Sequence, residues 1–174
     1  MRLTKQYAYA LLKSTSKEES VTVYKELIKI TDLFKQFPEY VGLIEFQTEE
    51  FKAVRSMLAD NVEPLVLNFL EVLAKDRLLS QLETVVEDYR LVLVENNLLF
   101  EVKVHSSKPL SDHTQNQLVE MIESRWGKDY LIDYRVDPKT LGGLKLEVNG
   151  AVIDTTFRSR IDQIIREVQH GAKR

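Results

Sequence analysis

The spacing of apolar residues changes near residue 100, and this change constrains the fold more than any other feature. Up to about residue 99 the apolar side chains recur every three or four positions, which is typical of amphipathic helices. From there Phe100, Val102 and Val104 alternate with polar residues, which is typical of a half-buried strand. The sequence therefore predicts a helical bundle over residues 1–104 and a small α/β domain over residues 105–174.

Five or six helices with short connections account for the predicted bundle. Pro38 ends one helix, because the residue before a proline is pushed out of the helical region. Thr48 is a suitable cap for the start of another helix, and Pro64 fits the first turn of a third. The last helix is predicted to run from Leu78 to about Leu93. The first helix ends near Ser14, and its apolar face comprises Leu3, Tyr7, Ala10 and Leu11.

The second part is predicted to follow the order strand, helix, strand, strand, helix. Its first helix lies between a cap at Ser111 and a stop at Gly127, and strands are predicted at residues 130–136 and 144–148. Asn149-Gly150 is the dipeptide most typical of a tight hairpin. The apolar residues of the terminal amphipathic helix are Phe157, Ile161, Ile164, Ile165 and Val168.

Composition excludes several classes of protein. The 174 residues carry a net charge of −3, so a strongly basic nucleic-acid-binding protein is not indicated. Cysteine is absent, which rules out disulfides, thiolate zinc sites and cysteine nucleophiles. Charged residues interrupt every stretch that approaches the roughly 20 apolar residues of a membrane span, and we expect no secretory signal at the N-terminus.

Two features could indicate an enzyme or a ligand site. A phosphate-binding loop needs glycines followed by a helix, whereas Gly142-Gly143 precedes an alternating, strand-like run. We therefore interpret the glycines as a turn, with a small-ligand or nucleotide-binding α/β domain as the alternative. The three histidines have neither metal-site spacing nor a nearby nucleophile pattern, so we expect no catalytic residue, cofactor or metal; they are His105, His113 and His170.

Two helical faces are candidates for binding a partner helix. The first face contains Tyr7, Ala10 and Leu11, with a small residue that lets another backbone approach closely. The second face, on the helix that begins at Pro64, contains Phe69, Val72 and Leu73. A partner helix would bind through apolar anchors at such spacings, but the same pattern also describes residues of a bundle core. The pattern alone leaves both interpretations open.

Three blocks of sequence resemble one known family. YAYAL, residues 7–11, is similar to the YAxAL opening of the delta subunit of F-type ATP synthases, the relative of mitochondrial OSCP. NFLEVLA, residues 68–74, with Arg77 shortly after, resembles that family's NFLxxLA helix and its following arginine. Asp137-Pro138, Leu141, Gly142-Gly143 and Ile153-Asp154 are similar to the family's DPxLxGG block and its later Ile-Asp pair. The blocks follow the family's order and span nearly the whole chain.

The resemblance implies a non-catalytic stator subunit that resists rotational torque. In this family the helical domain caps the catalytic head and binds the N-terminal helix of an alpha subunit between its first and fifth helices. By position, Tyr7, Ala10, Leu11, Phe69, Val72 and Leu73 are expected in or beside that groove. The second domain would contact subunit b of the peripheral stalk, for which the expected residues are Phe157, Ile161, Ile164 and Val168.

The resemblance also implies a location. With no mitochondrial transit segment apparent, the bacterial form is expected, held peripherally at the cytoplasmic face of the cell membrane by the rest of the complex. An unrelated helical adaptor is the alternative that the residues alone leave open.

Overall fold

The computed structural model describes residues 2–46, 48–138 and 143–154. The chain divides into two compact units, Met1–Leu98 and Leu99–Arg174. The predicted boundary, between residues 104 and 105, lay further along the chain. The first strand, Phe100–Ser106, hydrogen-bonds to a strand on each side, so all of it belongs to the second unit.

The first unit is the predicted helical bundle. Among the described residues it contains six α-helices: α1 Leu3–Ser14, α2 Lys17–Gln36, α3 Pro38–Phe46, α4 Thr48–Leu58, α5 Pro64–Lys75 and α6 Leu82–Glu95. The residues at the start of two of these helices explain where they begin. Ser16 and Glu19 form a reciprocal capping box at the start of α2, and Pro64 occupies the first turn of α5.

The junction between α5 and α6 differs from the prediction. The last helix was expected to begin at Leu78, but a single 3₁₀ turn, Leu79–Gln81, precedes α6. Arg77 adopts a left-handed conformation with φ of 57°, and the Leu78 N–H donates to the Leu73 carbonyl at 2.8 Å. This is the hydrogen-bond pattern of a Schellman cap, which terminates α5 sharply.

The bundle core is apolar and centres on α6. Tyr89 is the largest fully buried side chain among the described residues, and its hydroxyl donates to the Ser20 carbonyl at 3.3 Å. The buried phenol therefore retains a hydrogen-bond partner. Other large side chains of this unit that are fully enclosed include Leu27, Val66, Leu70, Leu73, Leu79, Val85, Val92 and Leu93.

The second unit is a four-stranded mixed sheet with one described helix. Its elements are β1 Phe100–Ser106, α7 Asp112–Trp126, β2 Tyr130–Val136, β3 Leu144–Val148 and β4 Ala151–Asp154. The strand order is β2-β1-β3-β4; β1 and β2 are parallel across the α7 connection, and the other pairs are antiparallel. The core of the unit is formed by Val102, Val104, Leu118, Ile122, Leu146 and Val148.

The predicted hairpin at Asn149-Gly150 is present. Both residues have positive φ, 48° and 83°, which is the requirement of a type I′ turn. The Asn149 side chain accepts from the Glu101 N–H at 2.8 Å, so the turn is also fixed to β1. Residues 151–154 form a fourth strand that the prediction did not include. Gly142 and the predicted terminal helix over residues 157–168 lie outside the described residues.

Candidate partner-binding surface

Helix α1 packs mainly against α6. Thr4, Ala8 and Leu11 are buried on α1, and their spacing of four and three residues places them on one stripe. At about 100° per residue, Leu3, Tyr7 and Ala10 lie along one flank of this stripe, and Lys5 and Tyr9 lie along the other. The α6-facing stripe therefore determines in which direction each flank points.

A buried carboxylate of α6 fixes the N-terminal turn of α1. Asp88 on α6 has a side chain that is only 1% exposed. The Thr4 hydroxyl donates to its Oδ2 at 2.6 Å, and Arg2 Nη2 donates to its Oδ1 at 2.8 Å. Both carboxylate oxygens are thus hydrogen-bonded, as a buried charge requires.

A second carboxylate on the same face of α6 fixes one flank of α1. Glu95 lies seven residues after Asp88, and it accepts from Lys5 Nζ at 2.8 Å and from the Tyr9 hydroxyl at 2.7 Å. The hydrogen bond from Lys5, followed by the one from Tyr9, lowers the pKa of Glu95. Because these groups are accessible to solvent, their contribution to the stability of the contact is small.

The other flank of α1 reaches α5. The Tyr7 hydroxyl donates to Oδ2 of Asp76, the residue that caps the C-terminus of α5, at 2.5 Å. This hydrogen bond raises the pKa of the Tyr7 phenol, because ionisation would break the bond and place a second negative charge beside the carboxylate. Val72 lies one helical turn before Asp76 on the same face of α5. The structure thus brings Tyr7 and Val72 to the same side of the bundle.

The six residues predicted for the groove fall into two groups. Leu11, Phe69 and Leu73 are 2%, 8% and 0% exposed, so they belong to the bundle core. Tyr7 is half-buried, Ala10 is exposed and Val72 is 44% exposed, so these three are available to a partner. The bundle-core interpretation therefore describes the first three residues, and partner binding stays a prediction for the other three.

Other residues extend this surface. Leu3 is 54% exposed on the Tyr7 flank of α1, and Leu65 is half-buried on the Val72 side of α5. Leu3 was recognisable from its place in the predicted apolar face of α1. Asp76 carried no recognisable signal, because its role depends on a contact with a residue 69 positions away. We call Leu3, Tyr7, Ala10, Leu65 and Val72 the α1/α5 surface.

The second unit offers less information about a site. The four predicted stalk-contact residues, between Phe157 and Val168, lie outside the described residues. Within the described part of the sheet, edge strand β2 exposes Leu131, Tyr134 and Val136. Gly143 has a φ of 78° and is followed directly by β3. A strand after the glycine argues against the phosphate-binding alternative, which requires the N-terminus of a helix there.

Within residues 2–46, 48–138 and 143–154, no group of three or more His, Asp or Glu side chains could hold a metal ion. None of the helices in that part of the chain is long and apolar enough to cross a membrane.

Known proteins with similar sequences point to one family. Residues 3–168 match the family model for the ATP synthase delta (OSCP) subunit. The chain is 28% identical to the ATP synthase subunit delta of Clostridium kluyveri over 99% of this chain and 98% of the relative. It is 31% identical to that of Clostridium perfringens over 93% of each chain.

The fold is also shared with a solved structure. A chain in the cryo-EM structure of the Toxoplasma gondii mitochondrial ATP synthase hexamer superposes with a TM-score of 0.56 at 20% identity, covering 97% of this chain and 98% of that one. The family match extends from α1 into the terminal segment and includes both compact units. This chain therefore belongs to the ATP synthase delta (OSCP) subunit family, a stator component in the peripheral stalk of F-type ATP synthases.

Proposed function

We propose that this subunit has no catalytic activity of its own and links the catalytic head to the peripheral stalk. The helical unit binds the N-terminal helix of an alpha subunit, and the second unit binds subunit b. The link keeps the head from turning with the rotor during ATP synthesis. Membership of the delta (OSCP) family supports this role.

The observation that carries the proposal is the α1/α5 surface. Leu3 and Val72 are large apolar side chains that remain 54% and 44% exposed on two helices joined by the Tyr7–Asp76 hydrogen bond. Ala10 is exposed on α1, and its side chain is small enough to let a second helix come close. An amphipathic helix binds such a surface through apolar anchors on successive turns.

The physical demands of a stator fit this kind of contact. A stator has to remain bound under torque, so its function depends on affinity and slow dissociation. Apolar helix packing supplies both without any reacting group. The hydrogen-bonded carboxylates of α6 hold α1 in place before the partner arrives. Binding therefore does not have to include the entropic cost of ordering this surface.

The contact with the stalk is the second half of the proposal. We assign it to the apolar face of residues 157–168, which contains Phe157, Ile161, Ile164 and Val168. In this arrangement the protein is peripheral, at the cytoplasmic face of a bacterial cell membrane. It reaches the membrane only through its complex.

Calorimetry tests the alpha-subunit contact. The probe is a synthetic peptide of about the first 20 residues of the alpha subunit from the same genome, long enough for about five helical turns. We expect submicromolar binding by the wild-type chain and its loss in Val72→Asp and Ala10→Asp. Met57→Asp is the matched control, because Met57 is the most exposed large apolar residue in the described part of the chain and lies on α4.

The controls make the result decisive. Substitutions at the exposed Ala10 and Met57 should change the free energy of unfolding by less than about 1 kcal/mol. Val72→Asp also loses the buried part of a side chain that is 44% exposed and places a carboxylate one turn before Asp76, so it should cost about 1–2 kcal/mol. Urea unfolding of each variant checks that it remains folded under the conditions of the binding experiment. Absence of binding to the wild-type chain at micromolar peptide would contradict the proposal, as would equal loss in the Met57 variant.

A further inference from the structure

Three carboxylates hold α1 at different positions around its axis. Asp88 accepts hydrogen bonds at the N-terminal end of the buried stripe, Glu95 on one flank and Asp76 on the other. Only Asp88 is enclosed: its side chain is 1% exposed, whereas that of Glu95 is 46% exposed. Water cannot take the place of the hydrogen bonds to Asp88, so their geometry is fixed by the protein.

An aspartate is a costly way to hold two helices together. Desolvation of a carboxylate offsets most of the energy that its hydrogen bonds return, and a well-packed apolar side chain is often equally stabilising. Buried polar groups can instead specify which of several similar packings a helix adopts, as a single asparagine does in a coiled coil. Asp88 is such a group, because it is buried on α6 and hydrogen-bonds to Thr4, a residue of the buried stripe of α1.

The α1/α5 surface is sensitive to the packing of α1. A shift by one residue moves a helix by about 1.5 Å and turns it by about 100°. That rotation would carry Tyr7 away from Asp76 and swing Leu3 and Ala10 away from the Val72 side. The stripe itself offers weak resistance to such a shift, since Ala8 is one of its three buried residues.

We infer that Asp88 is a positioning residue, which sets the rotation and register of α1 through Thr4 and thereby aligns the α1/α5 surface for its partner helix. This inference rests on the proposed function, since the surface that it aligns is the proposed binding site. Asp88 itself is buried and does not touch the partner.

The test replaces the polar contact with an apolar one of similar shape. In the double variant Asp88→Leu with Thr4→Val, no buried charge or hydroxyl is left without a partner. Arg2 is 70% exposed and remains solvated. The urea midpoint is expected to stay the same or rise, while affinity for the alpha-subunit peptide falls about tenfold or more, equivalent to about 1.4 kcal/mol.

The phenol of Tyr7 reports the register independently of any partner. Its pKa is raised by the hydrogen bond to Asp76, so it should return toward that of an ordinary tyrosine in the double variant. Absorbance titration at 295 nm of each protein and of its Tyr7→Phe derivative isolates this group from the other six of the seven tyrosines. If Asp88 only stabilised the bundle and did not position α1, the Tyr7 titration would be the same in the double variant as in the wild-type chain.

Two more variants complete the experiment. Asp88→Asn keeps an acceptor for Thr4, so we expect affinity and the Tyr7 titration to stay close to wild type. Glu95→Gln is the control on the exposed flank, and it should likewise retain binding. If the double variant does not fold, the single variant Thr4→Val provides the test. We expect it to bind the peptide more weakly than the wild-type chain and to have a lower Tyr7 pKa.

The outcomes separate the two proposals. Unchanged affinity and an unchanged Tyr7 titration in a folded double variant would overturn the positioning role, and so would reduced affinity with an unchanged Tyr7 titration. If the wild-type chain does not bind the peptide, the proposed function fails. A shifted Tyr7 titration in the double variant would then still show that Asp88 sets the register of α1.

Discussion

Val72 and Leu73 are neighbours on α5, and they should separate function from stability. Leu73 is 0% exposed, so Leu73→Ala leaves a cavity and is expected to cost about 2–5 kcal/mol of unfolding free energy. Val72 is 44% exposed, so truncation to Ala removes about half of the roughly 1.6 kcal/mol associated with two buried methyl groups. Alanine also regains roughly half a kcal/mol of helix propensity. The net cost of Val72→Ala should therefore be about 0.4 kcal/mol.

For partner binding, Val72 is the residue of the pair that is expected to matter. The exposed share of Val72 is what a partner helix would cover, which corresponds to about 0.7 kcal/mol, or roughly a threefold loss of affinity in Val72→Ala. Urea unfolding followed by circular dichroism measures the first quantity, and calorimetry with the alpha-subunit peptide measures the second. The reasoning is refuted if Val72→Ala costs more than about 2 kcal/mol of stability, or if it leaves the affinity unchanged.

Three further predictions concern separate parts of the chain. The pKa of Glu95 is lowered in the folded state, so its contribution to stability is present above the unfolded value of about 4.3 and is lost as the pH falls through the folded pKa; Glu95→Gln should flatten this part of the stability–pH profile. Gly150→Ala places a side chain at φ +83° and should cost about 1–2 kcal/mol in urea unfolding, whereas a tolerated substitution would argue against the type I′ turn. Ser16→Ala removes the capping box of α2 and should cost about 1 kcal/mol; an unchanged thermal midpoint would contradict the cap.

Local signals predicted most of the fold. Pro38, Pro64 and Asn149-Gly150 act through their own backbone preferences, so their effects could be anticipated without tertiary information. The end of α5 could not be, since Arg77 adopts a left-handed conformation that few residues other than glycine, asparagine and aspartate take. Strand β4 was missed because four residues are too short to show a period.

The candidate surface was only partly predictable. Periodicity identified apolar positions on α1 and α5 but not which of them the bundle would enclose. Leu73 and Val72 look equivalent in sequence, yet α5 packs against other helices on one side, which buries the first and leaves the second open. Contacts between residues far apart in sequence, such as Thr4 with Asp88, depend on how the helices pack and leave no local pattern.

The location of the partner on the helical unit is the central claim, and NMR measures it directly. The alpha-subunit peptide is titrated into ¹⁵N-labelled protein, and the amide shifts are mapped onto the structure. The largest shifts are expected along α1 and α5, around Tyr7, Ala10 and Val72, with little change at Met57 on α4. Shifts concentrated instead on the cleft between α2 and α6, lined by Tyr24, Ile28 and Glu87, would contradict the account.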